Sequence, residues 1–535
     1  MTVSNNQHSV LLENVYKLIE KKVDKSQVER VIKFSKILFK NISKDDLENR
    51  SDSDLYGATL SLWNEFYDFS GEKPFIRVFN PEIAKHGWQS THTIVEILVQ
   101  DSPFLVDSVR MALNRMGITA HLLLHSPISL RRDKDHKFVS FDGAVKGEAD
   151  YFKQTVFLIE VDRQTNKKEL DALNAELLSV VNEVSLAVLD WQAMRERLGE
   201  IIQEFPKTAS SLTEQVKNET LKFLNWLYDH NFTLMGYRRY TAKAIKGDYR
   251  WVADNEASLG LMKNSKSERD RVLSNIPDSA RSEALSKNPL MLTKTNSRSR
   301  VHRPAYMDYV GIKRFDDHGN VVGEDRFIGL YSAAFYNSSA TQLPVLQEKI
   351  NEICKLSGFE QGSHGQKAFL NIIETYPRDE LLQGSVEELA QIALGIFQMQ
   401  ERGISRLFVR KDQFGRFVSC MVYVPRERYN TQLRKDTQEL LKKSFDSHEE
   451  VEFTTYFSES VYARTHYIAR VKNNNSEFNV KEIEKNIIEL TKSWDDRLVS
   501  TIRTKHGEAQ GKTLEKKYVN AFSRSYKEYN LPSAA

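Results

Sequence analysis

The stretch from Gln100 to Asp133, QDSPFLVDSVRMALNRMGITAHLLLHSPISLRRD, constrains the fold of this chain more than any other. The preceding residues, Thr91 to Val99, alternate between the two faces and are rich in β-branched types, which is typical of a strand. A helix is predicted next, because apolar residues recur at helical spacing in Leu105, Val109, Ala112 and Met116. Ile118 to Leu130 is the following predicted strand. The block therefore reads strand, tight turn, helix, strand.

The turn before this helix is a candidate ligand site. Ser102 is expected to cap the helix, with Pro103 in its first turn, where a missing N–H costs nothing. A loop that enters a helix N-terminus presents backbone N–H groups, which favour carboxylates. Effector binding is therefore predicted at Asp101, Ser102, Pro103, Phe104 and Leu105. The alternative for Asp101 is that it only favours the helix dipole and starts the turn.

The composition is that of an ordinary globular chain. At 535 residues it predicts three or four domains, and its net charge of +3 gives no general attraction to nucleic acid or anionic membranes. Cys354 and Cys420 are too few for a disulfide framework and fit a reducing cytoplasm. No signal peptide and no run near the roughly 18 apolar residues of a membrane span is recognised. We therefore expect a cytoplasmic location and no membrane partner.

The patterning predicts a multidomain α+β chain with repeated ferredoxin-like βαββαβ units. The expected parts are a helical segment at 1–70, a first unit at 74–200, a different α+β domain at 210–345, a second unit at 346–458, and a partial unit with a helical tail at 459–535. The second unit is expected to begin with a strand at Ala368–Glu374. The third is expected to begin with a separate strand at Val461–Val471.

The chain offers no catalytic motif. It has no G-x-G-x-x-G after a strand, no Walker A loop, no H-E-x-x-H, no C-x-x-C and no G-x-S-x-G. His121 and His125 lie four apart on a predicted strand and share a face, so a metal pair is one interpretation. The other is two polar residues on the solvent or interface face of a sheet. We expect no catalytic residues, no metal and no cofactor in this chain.

The most basic short segment runs from Lys294 to Arg314, KTNSRSRVHRPAYMDYVGIKR. Basic residues interleaved with tyrosines can bind RNA or single-stranded DNA, or they can bind an anionic metabolite or acidic residues of a neighbouring domain. Because no domain-wide basic excess accompanies the segment, nucleic acid is disfavoured. An anion site or an interface is predicted at Arg298, Arg300, His302 and Arg303.

Several long blocks of this sequence resemble the N-terminal region of the large bacterial NAD-specific glutamate dehydrogenases. The blocks occur in order and cover nearly the whole chain: Asp101–Asp133, Phe223–Tyr240, Ser297–Phe315, Val424–Arg434 and Phe453–Val471. The resemblance implies ACT-like domains at 74–200, 346–458 and, in part, 459–535, with a PAS-like domain at 210–345. It also implies that the dehydrogenase domain, and with it the NAD site, belongs to a part of the enzyme that this chain lacks.

The turn at 101–105 departs at one position from the pattern of the ACT domains that the chain resembles. ACT domains commonly sense amino acids through a D-x-P-G-x-L turn, and here Phe104 stands where glycine is often found. A side chain at that position hinders close approach of a ligand to the backbone, which weakens the case for binding at this turn. Because family members are much longer, the chain is interpreted as a fragment that does not oxidise glutamate by itself.

Two functions follow from the sequence. The first is a regulatory and oligomerisation segment of an NAD-dependent glutamate dehydrogenase, which binds an amino-acid or carboxylate effector and the catalytic portion of the same enzyme. A homo-oligomer is expected, since unpaired sheet edges need protection. The second is a stand-alone amino-acid-sensing or protein-binding module.

Overall fold

Three antiparallel sheets, each covered by helices, make up the chain in a computed structural model. The structure describes residues 3–47, 50–141, 146, 150–209, 211–245, 248–263, 270–272, 277–399, 402–457, 460–471 and 478–534. Mixed helix and antiparallel sheet in separate layers confirms the predicted α+β class.

The helices and strands occur in the following order. The helices are α1 Val3–Lys22, α2 Val28–Leu38, α3 Lys44–Leu47, α4 Asp52–Asp68, α5 Ile83–His86, α6 Leu105–Arg115, α7 Lys167–Leu189, α8 Trp191–Thr208, α9 Glu214–Trp226, α10 Asp278–Leu285, α11 Ala333–Asn337, α12 Leu346–Leu356, α13 His364–Thr375, α14 Arg378–Gln383, α15 Val386–Met399, α16 Thr431–Ser444, α17 Val480–Thr491, α18 Trp494–Tyr518 and α19 Arg524–Tyr529. The strands are β1 Phe75–Phe79, β2 Thr93–Gln100, β3 Ala120–Arg132, β4 Phe138–Ser140, β5 Tyr151–Val161, β6 Phe232–Ile245, β7 Asp248–Ala253, β8 Leu259–Gly260, β9 Asp270–Val272, β10 Leu290–Arg298, β11 Tyr306–Phe315, β12 Val321–Tyr331, β13 Arg406–Lys411, β14 Phe417–Pro425, β15 Glu452–Phe457 and β16 Tyr462–Arg470.

The first sheet has the strand order β1-β2-β5-β3-β4, and every neighbouring pair is antiparallel. The sequence predicts strands at 74–79, 91–99, 118–130, 138–141 and 154–161 and a second helix that starts near Lys167, and β1 to β5 and α7 confirm them. The expected βαββαβ order is wrong in one respect: the edge strand beside β2 precedes the unit in sequence instead of following its second helix. The strand order in the sheet is the same whether this edge strand precedes or follows the unit in sequence. An edge strand needs only an antiparallel neighbour to pair with, and β2 provides it in either case.

Both faces of the first sheet are buried, since alternate residues of its strands point to opposite sides. Ile94 and Leu98 join a core with α1, α2 and α4, whereas Val95 and Ile97 join a core with α6 and α7. The helices at 1–70 are therefore confirmed, but as a cover over this sheet. The expected boundary near residue 70 runs through one hydrophobic core.

Helix α7 is the only helix in the described residues that is long and apolar enough to cross a membrane. Its apolar stripe, however, lies against the first sheet, where Leu173, Leu177 and Val181 are fully buried. Its opposite side contacts the second sheet, whose Met235, Met307 and Ile328 belong to the same core. A helix packed between two sheets is apolar on more than one face, which explains its composition.

The second sheet has the order β10-β11-β12-β6-β7-β9, with β8 paired to β6. The sequence predicts a hairpin with strands at 306–314 and 326–335 and a turn at 316–320, and β11 and β12 form this hairpin. Its turn is closed by Asp316, whose carboxylate accepts the Asn320 backbone N–H at 2.8 Å. The strand expected at 326–335 begins earlier and ends at Tyr331, because Ser332 starts the short helix α11.

The third sheet has the order β13-β14-β16-β15 and repeats the arrangement of the first. Its edge strand, β13, again precedes the unit. The separate unit expected from residue 459 is wrong, because β15 and β16 pair from Glu452↔Ile468 to Phe457↔Ala463, and α17 packs on the same sheet. A single sheet therefore spans the expected boundary at 458/459.

Helices α12 to α15 form a helical layer that covers the other face of the third sheet. The strand expected at Ala368–Glu374 lies inside α13 instead. Phe369, Ile372 and Ile373 are buried at helical spacing, and the Ser363 hydroxyl accepts the Gln366 backbone N–H to cap the helix. Apolar residues at positions i, i+3 and i+4 thus indicated the helix correctly, whereas the β-branched content of this segment led to the wrong prediction of a strand.

Candidate functional site

The turn at 101–105 does not have the geometry expected of a ligand-binding helix start. The residue that precedes α6 is Phe104, which adopts the left-handed conformation (φ 70°, ψ −2°), and no side chain caps the helix. Ser102 is thus not the cap, and its hydroxyl is buried without a hydrogen-bond partner in the described residues. Because Phe104 is left-handed, α6 begins too far along the chain for the Ser102 side chain to cap it. Of the other two residues of the turn, Pro103 is exposed and Leu105 is buried in the core.

Asp101 is engaged by the neighbouring strand β5. Its carboxylate accepts the Thr155 hydroxyl at 2.5 Å and pairs with the Lys153 ammonium at 2.7 Å. Its backbone N–H donates to the Lys153 carbonyl at 2.8 Å. These contacts fix the end of β2 against β5, so the carboxylate has a structural role in this conformation.

The basic loop that follows β10 contacts acidic side chains of both flanking units. The Arg300 guanidinium binds Glu176 at 2.9 Å, Glu183 at 2.5 Å and the Ser179 hydroxyl at 3.0 Å, all on α7. Arg298 pairs with Glu452 on β15 at 3.0 Å. Of the alternatives open for this segment, the structure thus shows an interface between units.

The two predicted sites meet at this interface. The ring of His302 lies 4.7 Å from the ring of Phe104, and the His302 backbone N–H donates to the Ser108 hydroxyl of α6 at 3.1 Å. Burial, followed by the nearby Arg303, lowers the pKa of His302. Arg303 itself turns away and donates to the Tyr331 carbonyl at 2.7 Å. The 101–105 turn is therefore covered by the second unit.

The two histidines considered as a metal pair have other partners. His121 Nε2 lies 2.8 Å from an Asp162 carboxylate oxygen, and its ring is 4.5 Å from that of His92. His125 packs against Phe157, with ring centroids 6.0 Å apart. Among the residues that the structure describes, no group of three or more His, Cys, Asp or Glu side chains is placed to hold a metal.

A cavity of about 720 Å³ lies where the three units meet. Its walls come from α7, from one face of the second sheet, and from the turn between β13 and β14, which contributes Phe414 and Arg416. The volume is within the range typical of small-molecule sites. The cavity brings together residues that are more than 200 positions apart in the sequence, such as Ser179 and Arg416.

The sheet face that forms the floor of this cavity carries a buried polar cluster. The Arg326 guanidinium lies 4.0 Å from the ring centroid of Tyr240 and 4.7 Å from that of Tyr309. Glu324 accepts the Arg326 Nε–H at 3.0 Å and also the Tyr309 hydroxyl. A side chain at Gly311 would place its Cβ 2.8 Å from the Glu324 carboxyl carbon, so any larger residue there would require this carboxylate to move.

Trp251 stands on the same sheet face and lines the cavity. It is 4% exposed, and its indole Nε1 has no hydrogen-bond acceptor in the part of the chain that the structure describes. Buried polar groups are almost always paired, so an unpaired donor in a cavity wall is a feature to be explained.

Sequence reasoning missed this cluster, although one signal was available. Glu324, Asp325 and Arg326 stand in succession in the sequence, directly at the start of the strand predicted from Arg326. Alternate residues of a strand face opposite sides, so a covered sheet must bury at least one of these charges. All three are buried, with exposures of 2%, 1% and 7%.

Two buried ion pairs connect the helical layer to the sheets beside it. Glu380 on α14 accepts two hydrogen bonds from Arg410 on β13, at 2.7 and 3.0 Å. Lys294 on β10 lies 2.5 Å from Asp308 and 3.1 Å from Asp379. The units around the cavity are thus joined by specific charged contacts and by apolar packing.

Comparison with known proteins assigns much of this architecture to domains of glutamate dehydrogenase. Residues 34–177 match the model of the glutamate dehydrogenase ACT1 domain, 343–402 that of helical motif 1, 406–495 that of the ACT2 domain, and 501–535 that of helical motif 2. The first sheet thus belongs to ACT1, the helical layer to helical motif 1 and the third sheet to ACT2. The ACT2 match also runs across the expected boundary at 458/459.

Whole-chain similarity agrees with these matches. The NAD-specific glutamate dehydrogenase of Halomonas elongata is 36% identical over 521 residues, which are 97% of this chain and 32% of that protein. The corresponding Pseudomonas aeruginosa protein is 36% identical over 95% of this chain and 31% of its own length. The chain belongs to the large NAD-specific glutamate dehydrogenase family.

The glutamate dehydrogenase relatives are much longer than the sequence described. The chain spans about a third of the length of the two relatives above, and 27% of the Mycobacterium tuberculosis NAD-specific glutamate dehydrogenase, which is 25% identical over 455 residues. The match extends through the second sheet, the cavity and the basic loop, so these features lie within the aligned part of the family.

Proposed function

We propose that this chain is the N-terminal regulatory and assembly segment of an NAD-dependent glutamate dehydrogenase. The complete enzyme converts L-glutamate, NAD and water to 2-oxoglutarate, ammonia and NADH, and acts in glutamate catabolism in the cytoplasm. Hydride transfer and NAD binding are assigned to another part of the polypeptide. The printed names of the relatives and the share of their length that the chain matches support this proposal.

The observation that carries the regulatory role is the cavity at the junction of ACT1, the second sheet and ACT2. A ligand changes a conformational equilibrium only when it binds the alternative arrangements of the units with different affinity. A molecule that touches three units at once meets this requirement, since any relative movement of the units changes its contacts. We therefore propose an amino-acid or carboxylate effector and place its site in this cavity.

Assembly is proposed from the free edge of the ACT2 sheet. Strand β15 ends the sheet in the described residues, and Phe453 and Phe457 on it are 44% and 57% exposed. Exposed edge strands pair readily with other strands. A homo-oligomer, together with docking of the catalytic portion, is consistent with such an edge. The PAS-like assignment of residues 210–345 remains a prediction.

A thermal-shift screen of this chain against the twenty amino acids, 2-oxoglutarate and NAD tests the regulatory role. A ligand at a hundred times its dissociation constant adds about 2.7 kcal/mol to the free energy of unfolding. We expect a selective rise in melting temperature with one amino acid or carboxylate and no rise with NAD. A rise with NAD alone would place the cofactor site in this segment and contradict the proposal.

A further inference from the structure

We propose that strand β15 pairs antiparallel with β15 of a second copy of this chain, about a two-fold axis at Thr455. Two four-stranded sheets then join into one continuous sheet. The inference rests on the proposed assembly role and deepens it, because it names the partner and the register of the contact. Docking of a different protein segment on this edge is an outcome of the test.

Strand β15 leaves one edge of its sheet open. Its strand neighbour in the described residues is β16, and this pairing runs from Glu452↔Ile468 to Phe457↔Ala463. On the other side of β15, alternate backbone N–H and C=O groups have no hydrogen-bond partner in the part of the chain that the structure describes. An edge of this kind can accept a further strand.

Two other sheet edges carry features that discourage such pairing. In the described residues β3 is unpaired on one side before Arg131, and Pro127 interrupts that edge because proline has no N–H to donate. Strand β13, at the opposite edge of the ACT2 sheet, is covered by α17, where the Glu484 carboxylate accepts the Leu407 backbone N–H at 3.1 Å. Strand β15 contains no proline and has no such cover among the described residues.

The sequence of β15 suits pairing with itself. In a two-fold interface the same surface of each copy meets its equivalent, so the contact must be self-complementary. The segment Phe453-Thr-Thr-Tyr-Phe457 is nearly palindromic about Thr455. Antiparallel pairing centred there sets Phe453 of each copy opposite Phe457 of the other copy. Thr455 then faces itself, and Thr454 faces Tyr456. Cross-strand aromatic pairs of this kind stabilise a sheet.

Exposure and charge favour the same register. Phe453 and Phe457 are exposed and lie on the same face of the sheet, so pairing them removes apolar surface from water. The charged side chain of β15, Glu452, lies outside the Phe453–Phe457 segment and already pairs with Arg298 at 3.0 Å. The register therefore brings no like charges opposite each other within that segment.

Sedimentation equilibrium of the chain, together with disulfide formation by single cysteines in β15, tests the inference. Phe457→Lys adds a charge at the edge and leaves the core intact, because this side chain is exposed. Leu356→Lys, at the exposed last residue of α12, is the matched control. Thr455→Cys and Thr454→Cys are compared in a background in which the half-buried Cys354 is replaced by serine.

We expect a concentration-dependent dimer whose dissociation constant Phe457→Lys raises about ten-fold or more, since the substitution acts twice and sets a charge against an aromatic ring. Leu356→Lys should leave the constant unchanged. Directly opposed residues have Cβ atoms roughly 5 Å apart, so Thr455→Cys should cross-link under mild oxidation. The diagonal separation of roughly 7–8 Å at Thr454→Cys is too long for a disulfide.

A chain that is monomeric at all concentrations would overturn the inference, and so would a dimer that Phe457→Lys leaves as tight as Leu356→Lys does. Cross-linking of Thr454→Cys in preference to Thr455→Cys would overturn it as well, because it would show a different register. If the chain forms a stable oligomer that changes in β15 do not affect, the proposed assembly role stands and this assignment fails.

Discussion

Replacing Glu380 by glutamine is expected to lower the free energy of unfolding at pH 7 by about 3 kcal/mol, because it leaves the buried Arg410 guanidinium without its counter-charge. Both side chains are 3% exposed and form two hydrogen bonds between α14 and β13. Urea denaturation, followed by circular dichroism, measures the change. Glu427→Gln, at an exposed glutamate near the same sheet, is the control and should change stability by less than about 0.5 kcal/mol.

The effect of Glu380→Gln should also depend on pH. Burial by itself would raise the pKa of Glu380, but the Arg410 ion pair and the His466 contact hold it below the ordinary value of 4.5. A carboxyl group with a lowered folded-state pKa stabilises the protein above its unfolded pKa and loses this contribution as the pH falls. The difference between wild type and variant should therefore be constant above about pH 5 and shrink below pH 4.5. A difference that grows on acidification would contradict the ion pair.

Removing the carboxylate of Asp308 is the second change with a large expected effect. Asp308→Ala deprives Lys294 of one of its two counter-charges and leaves the Tyr331 backbone N–H, now bonded at 3.0 Å, without an acceptor. We expect a loss of about 3 kcal/mol at pH 7 by the same urea assay. Asp317→Ala, in the exposed turn after β11, is the control. Equal stabilities of the two variants would show that Asp308 does not hold the junction together.

Asp308 and Glu380 should respond to acid in opposite directions. Burial, only partly offset by Lys294, raises the pKa of Asp308 to about 6. The folded protein then takes up a proton at Asp308 between pH 7 and 5, which the unfolded chain does only near pH 3.8. The contribution of Asp308 to the free energy of unfolding therefore increases as the pH falls through 6, while that of Glu380 is retained until much lower pH.

Local patterns were sufficient to predict most of the elements. The strands β2 and β5, the helix α6 and the hairpin β11–β12 follow from side-chain periodicity and turn residues that lie next to one another in the sequence. The order of these strands and helices in turn predicted the α+β fold class. Where two local signals conflicted, as in α13, periodicity was the better guide than β-branched content.

Contacts between distant residues were not predictable in the same way. The position of β1 beside β2, and of β13 beside β14, depends on pairings that composition does not specify. The basic loop at 298–303 was recognised as a binding segment, but its partners on α7 and β15 are more than 100 residues away. The cavity is formed by three such segments, so Trp251 and Arg326 could not be connected from the sequence alone.

The steady-state rate of glutamate-dependent NADH formation, measured for this 535-residue chain and for the full-length NAD-specific glutamate dehydrogenase of Pseudomonas aeruginosa as the positive control, tests the central claim most directly. We propose that residues 1–535 serve binding and assembly and do not transfer hydride. We therefore expect activity in the full-length relative and none above background in this chain. NADH formation by the purified chain, proportional to its concentration, would contradict this proposal.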